Sequence, residues 1–252
     1  MVNSFPDGVA VVAGGTGGLG AGICLALAVA GCDVAVTYRS SERKAQSAVS
    51  DIEALGRKAW ASQVDLVDSR AVTKFLDEVR RRFGRIHTVV CDAGPTFKVE
   101  YIGRLAAEDW ARTMNEDVNG CFNLMRGALG HMRELGGALC AVTTSAVERI
   151  PLADILSAAP KAAIETLMRG IAKEEGPSGI RANCVAPGCI DAGIGHAALS
   201  AGGTFAEAVK QSTPLRMFGT RDDIAQAVVF LCSGRAKFIT GQSLAVDGGL
   251  QL

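Results

Sequence analysis

The sequence predicts an α/β protein, one doubly wound domain built around a parallel sheet of seven strands. Three observations carry this expectation. Short β-branched or apolar runs alternate with amphipathic stretches along all 252 residues, the pattern of strand–helix–strand crossovers. No Pro/Ser-rich or charge-run linker divides the chain, and α/β folds reach about 250 residues as one unit, so residues 1–252 read as a single domain. A glycine-rich turn joins the first strand directly to the first helix.

Taken in order, residues 9–13 form an apolar, Val-rich run and read as the first strand, followed by a helix over 19–30 with apolar positions at three- and four-residue spacing. The same reading gives a strand at 33–38 and a helix at 42–55, then 58–64 with 69–83, 86–91 with 107–135, and 138–143 with 155–175. A sixth strand at 180–185, a helix at 221–234 and a last strand at 243–246 complete the set. Each strand is short enough to be buried on both faces, as a helix-covered parallel sheet requires. The stretch 191–214 is Gly/Ala/Ser-rich and weakly patterned, and suits either a lid over a site or a variable surface connection.

Composition narrows the function. Twenty-six Lys and Arg balance twenty-six Asp and Glu, which argues against nucleic acid or an anionic membrane surface as partner, since both select for clustered cations. The longest apolar run, near residues 23–30, is about half of what a membrane span needs. The start of the chain lacks a basic, apolar leader pattern, so a reducing cytoplasm is the expected location. Eight cysteines stand singly in apolar segments, without paired spacing or nearby histidines; they read as small core residues, and no metal is expected.

The turn Ala13-Gly14-Gly15-Thr16-Gly17-Gly18-Leu19-Gly20 carries the first chemistry. Residues without Cβ take positive φ and let a pyrophosphate approach the amides at the positive end of a helix. An acid at the end of the second strand would grip the ribose of NAD, but that place holds Tyr38, followed by Arg39-Ser40-Ser41 and then Arg43. A guanidinium and hydroxyls suit a 2′-phosphate, so NADP(H) is preferred over NAD(H).

These residues resemble the short-chain dehydrogenase/reductase family, of the 3-oxoacyl carrier-protein reductase type, along nearly the whole chain. The family's TGxxxGxG turn is matched with Ala13 in place of the threonine. Asp65 and Leu66 match its adenine-contacting pair, and Cys91-Asp92-Ala93-Gly94 matches its NNAG segment imperfectly. Pro187-Gly188, with Ile190 after it, matches the turn that meets the nicotinamide, and the stretch from Phe238 to Gly249 carries the closing signature. The resemblance implies a Rossmann-type domain that exchanges hydride between NAD(P)(H) and a small-molecule carbonyl or acyl substrate, usually as a homotetramer or homodimer. It also implies catalysis by Ser, a Tyr and Lys in YxxxK, and an Asn.

Here the sequence departs from the family. Its two tyrosines, Tyr38 and Tyr101, are followed four residues on by Glu42 and Leu105, so no YxxxK exists. Lys161 aligns with the family lysine, Ser157 takes the place of the tyrosine, Thr144 with Ser145 beside it takes the serine position, and Asp117 takes that of the asparagine. A serine hydroxyl is several units less acidic than a phenol near 10, and general acid catalysis is worth about 10² to 10⁴ in rate. Three functions follow from the resemblance: an NADP-dependent reductase with an atypical proton donor, drawing on water or on Asp117 or Asp154; a non-redox isomerase, dehydratase or cyclase on the same scaffold; or a catalytically silent NADP-binding subunit.

Among other candidates, His196 falls in the 191–214 stretch and reads as a surface residue, His131 as interface or core, and His87 as remote from the site. Tyr101 stands at the mouth of the expected cleft. Gly120, Gly127, Ala162 and Ala163 suggest helix faces that allow close contact between subunits.

Overall fold

A computed structural model describes residues 5–192 and 203–252, the side chains of 203–205 aside. The strands are β1 (Val9–Ala13), β2 (Asp33–Tyr38), β3 (Ala59–Gln63), β4 (Ile86–Cys91), β5 (Gly137–Val142), β6 (Ile180–Pro187) and β7 (Ser243–Val246). They form one seven-stranded sheet in the order β3-β2-β1-β4-β5-β6-β7, parallel throughout. The chain runs outward from β1 to β3 and then returns to lay β4 on the other side of β1, which opens a crevice at the carboxyl ends of these two central strands.

The alternation of the strands divides the core into two layers. Val9 and Val11 face one side with Val89, Leu139 and Cys184, and are covered by α3 (Ser69–Phe83), α5 (Gly120–Met132) and α6 (Ile155–Glu175). Ala10 and Val12 face the other side with Val34, Val90 and Val185, under α1 (Gly18–Val29), α2 (Glu42–Ala54) and α8 (Arg221–Cys232). Between them in sequence lie α4 (Ala107–Met114) and α7 (Gly203–Ser212). Asp68 caps α3 by accepting the Arg70 and Ala71 amides, and Thr220 and Asp223 cap α8 reciprocally.

Several expectations are corrected. The helix expected over 107–135 is α4, a π-helical turn at Asn115–Asn119, and α5, which stops at Met132. The extra residue of that turn reorients the side chains within it, which a search for 3.6-residue periodicity misses. The stretch 191–214 contains α7, so it is not wholly irregular. Gly120 and Gly127 serve packing inside the chain: a Cβ on Gly120 would lie 3.2 Å from Leu66 Cβ, and one on Gly127 2.9 Å from Leu76 Cδ1. The cysteines are free thiols and, apart from half-buried Cys189, all are buried, as expected of core residues. Among the described residues, no helix is long and apolar enough to cross a membrane and no group of metal-ligating side chains assembles.

Candidate active site

The glycine turn at the end of β1 is held to its shape by close backbone contacts. Gly14 has φ +80°, and a Cβ there would meet Asp92 and Ala93 backbone atoms at 2.7 Å. The Gly17 amide donates to the Gly14 carbonyl at 2.9 Å, and a Cβ on Gly20 would collide with that same carbonyl. Gly18, Leu19 and Gly20 open α1, whose first turn has no side-chain cap and no acid. Together with Thr16, this is a cradle that side chains leave open, with helix amides aimed at an incoming anion. A cleft of about 290 Å³ flanks it, reaching Lys44 and Arg221 on its outer side.

Asp92 lies beneath this cradle. Its amide donates to the Ala13 carbonyl at 2.9 Å and its carboxyl accepts the Gly20 amide. Burial raises the carboxyl pKa to about 7 against the opposing pull of Lys161. The next two residues, Ala93 and Gly94, continue to the crevice, where a Cβ on Gly94 would lie 3.4 Å from Asp117 Oδ1 and 3.6 Å from Lys161 Nζ. Gly94, Asp117 and Lys161 therefore converge, although each comes from a different element.

Lys161 Nζ donates to Asp117 Oδ1 at 2.8 Å, with side chains only 17% and 5% exposed. Burial pulls the Lys161 pKa down, but the carboxylate and its hydrogen bond more than offset this, and the net shift is upward. The π-helical turn brings Asp117 to this position. Ser157 lies one turn before Lys161 on α6, with Pro160 between them supplying no amide for the helix ladder. Thr144 follows β5 and accepts the Ala146 amide at 3.2 Å, and the turn Ser145–Val147 packs against α6. Ser145 itself is buried.

At the outer end, Arg39 and Ser40 are exposed, and Arg39 Nη1 pairs with Glu116 Oε2 at 2.6 Å. Asp65 is exposed, with Oδ1 accepting the Val67 amide at 3.0 Å, and the Leu66 carbonyl accepts Asn123 Nδ2 at 2.9 Å. Pro187 closes β6; a Cβ on Gly188 would stand 2.6 Å from Asp247 Cα, and Ile190 is buried and bridged to Gly219.

The remaining candidates lie elsewhere or outside the described residues. His87 is buried, with Nδ1 2.9 Å from Thr88 Oγ1, and burial lowers its pKa to about 4. His131 on α5 faces Asp77 of α3 at 3.4 Å. Tyr101 is 55% exposed, in a segment tied to the α6 approach by the Glu100 amide donating to the Ala153 carbonyl. His196 is outside the described residues.

Three further acids at this locus differ in how much of their position the sequence reveals. Glu116 meets Arg39 across 77 residues of chain, and no spacing rule reports that. Asp92 is visible as an acid ending an apolar strand. Asp154 is visible as an acid just before an amphipathic segment.

A strand, a Cβ-free turn, an uncapped helix start and a buried ammonium at the carboxyl edge of a parallel sheet are the parts that hold a dinucleotide, and the residues present fit one. A family model described as enoyl-(acyl carrier protein) reductase matches residues 13–251. The chain is 33% identical over 246 residues to the 3-oxoacyl-[acyl-carrier-protein] reductase of Staphylococcus aureus strain Mu50, covering 96% of this chain and 98% of that protein. It resembles a short-chain type dehydrogenase/reductase from Mycobacterium ulcerans with a TM-score of 0.94 and 30% identity, over 98% of this chain and 91% of that one. A short-chain dehydrogenase from Burkholderia cenocepacia, solved in complex with NADP, superimposes with a TM-score of 0.89 at 35% identity, over 97% and 98% of the two chains. The protein belongs to the short-chain dehydrogenase/reductase family of oxidoreductases.

Proposed function

We propose that the protein is an NADP-dependent reductase of a ketone or 3-oxoacyl-type substrate, working without the family's tyrosine. The observation that carries this reading is the open glycine cradle converging, through Gly94, on the buried Lys161 ammonium. When bound, the reduced nicotinamide supplies hydride. Gly14, Thr16, Gly17, Gly18, Leu19 and Gly20 hold the pyrophosphate, Asp65 and Leu66 the adenine, and Pro187, Gly188 and Ile190 the nicotinamide side. Lys161 binds the ribose, with Asp117 fixing its ammonium, while Ser157 and Thr144 hold the carbonyl oxygen.

NADP rather than NAD is supported by Arg39. Its pair with Glu116 is largely exposed, at 64% for the Arg39 side chain, so the pair is worth about 0–1 kcal/mol. A charge-assisted contact to a 2′-phosphate is worth about 1.5–3 kcal/mol, so the phosphate wins the guanidinium. Trp110 and Phe122, 39% and 44% exposed on α4 and α5, support assembly of copies through that surface, as a homodimer or homotetramer.

The test is NADPH oxidation against a panel of ketones and 3-oxoacyl thioesters, with the dissociation constants of NADPH and NADH measured by nucleotide fluorescence. Turnover on at least one carbonyl, with tighter NADPH binding, is expected. Tight binding without oxidation of NADPH against any carbonyl refutes the reductase reading, and a product equal in mass to its substrate, or lighter by one water, replaces it with non-redox chemistry.

A further inference from the structure

We propose that Asp154 is the proton source of this site, delivering its proton through the Ser157 hydroxyl to the oxygen of the substrate. This rests on the reductase reading above and supplies what that reading lacks, a donor in place of the phenol.

The geometry at the start of α6 is unusual in two linked ways. Asp154 is the N-cap residue, where an aspartate ordinarily accepts a backbone amide of the first turn, yet its side chain caps none. Its backbone carbonyl takes the Ser157 and Ala158 amides, at 3.0 and 3.1 Å, and its carboxyl faces the Ser157 side chain, which draws its pKa down. The residue before it, Ala153, has φ +64°, a left-handed conformation that costs a non-glycine residue about 1–2 kcal/mol. The Glu100 amide, donating to the Ala153 carbonyl at 3.0 Å, helps hold it there. A strained residue and an unused side-chain cap set the Asp154 carboxyl beside Ser157, the third residue of the helix, a single helical turn from Lys161.

The groups facing Asp154 leave it free to carry a proton. Cys189, just beyond the Pro187-Gly188 turn, feels the Asp154 charge and has its own thiol pushed up mainly by burial. Glu100, on the facing segment, turns its carboxylate to the Tyr101 amide at 3.0 Å and to Lys98 at 3.9 Å. Arg149, on the same loop as Asp154, donates to the Leu250 carbonyl at 2.8 Å. Among the described residues no cation pairs with Asp154, and burial raises its pKa against the lowering hydrogen bond from Ser157.

The other inward acids are committed elsewhere. Asp117 is ion-paired with Lys161, Asp92 lies under the phosphate cradle, and Glu165 accepts the Thr143 and Ser243 hydroxyls, both at 2.8 Å. Asp154 is also only partly buried, so solvent can return its proton after each turnover.

The step balances. As the carbonyl carbon gains hydride from a reduced nicotinamide and its π electrons pass to oxygen, the Ser157 O–H bond breaks toward that oxygen. The Asp154 O–H bond breaks to restore the Ser157 hydroxyl, leaving an alcohol and a carboxylate.

The experiment compares Asp154→Asn, Ser157→Ala, the double variant and Tyr101→Phe, reading kcat/KM against pH, NADPH affinity, and the Asp154 carboxyl titration by carbon-13 NMR in nucleotide-free protein. Each single variant is expected to lose about 10²-fold in kcat/KM with NADPH affinity kept within about twofold, and the double variant to lose no more than either single one, because the two groups act as one unit. Wild-type kcat/KM should fall as pH rises through the Asp154 pKa, and this limb should vanish in Asp154→Asn. The Asp154 titration should lie above the ordinary aspartate range and rise further in Ser157→Ala. Asp154→Asn turning over within about threefold of wild type, a titration at or below the ordinary range, or a 10²-fold loss in Tyr101→Phe overturns the assignment while leaving the reductase reading intact. Wild-type protein that binds NADPH but reduces no carbonyl removes both.

Discussion

Asp92 is a carboxyl that the fold holds protonated until pH nears 7, and replacing it with asparagine, the residue of the family motif at that place, should make the protein more stable above neutral pH. Burial lifts its pKa from 3.8 to about 7. The folded state therefore holds a proton that the unfolded chain gives up between about pH 4 and pH 7, so the stability this group confers is complete below pH 4 and is lost as pH rises through 7. The gap of about 3 units, at 1.36 kcal/mol each, comes to about 4 kcal/mol at pH 8. Asp92→Asn keeps the shape and an acceptor for the Gly20 amide but carries no charge. It should unfold like wild type at pH 4 and be more stable at pH 8 by up to about 4 kcal/mol, a shift of roughly 1–2 M in the urea midpoint. Urea titrations at fixed protein concentration, from pH 4 to 8.5, measure this. An Asp92→Asn effect that is the same at pH 4 and pH 8, or a loss of stability at pH 8, refutes the reasoning. A companion measurement is NADPH affinity, which in wild type should weaken as pH rises through about 7, when Asp92 charges beneath the cradle, and should stay flat in the variant.

Lys161→Ala should destabilise the fold by about 3–5 kcal/mol by stranding the buried Asp117 carboxylate, and Lys161→Ala/Asp117→Ala should recover a large part of that loss in denaturant titration. Arg39→Ala should lower the ratio of NADPH to NADH affinity at least tenfold, whereas Glu116→Gln, which frees the guanidinium, should raise NADPH affinity by up to about fivefold; paired fluorescence titrations read both. Gly20→Ala should abolish dinucleotide binding by calorimetry, since its methyl group would fall on the Gly14 carbonyl and force the turn open.

The parts of the molecule that could be read from sequence are those whose cause is local. A strand is a short apolar run, so β1 and β2 fall at the expected residues and β3 and β5 differ from expectation by one residue at each end. The glycine turn could be read because positive φ and close backbone approach exclude every residue with a side chain. What escaped is set by partners distant in sequence. Gly127 looks like a surface allowance for a second subunit until α3 is seen pressed against it, and Arg39 looks like a free guanidinium until Glu116 arrives from the π-helical turn. Asp154 could be read as an acid at a helix start, but not as one whose cap duty has passed to its own carbonyl, because that depends on the backbone angle of Ala153.

The buried thiols make the fold its own reporter. Cys24 lies on α1, Cys32 just before β2, Cys121 on α5, Cys140 on β5 and Cys184 on β6, each shielded from solvent. A soluble alkylating reagent therefore reaches each sulfur only when its neighbourhood opens, and half-buried Cys189 marks the fast end of the scale. Peptide-resolved labelling over time would rank the local opening free energies of both sheet faces without any added probe, and saturating the cradle with nucleotide would show which of those openings the ligand suppresses.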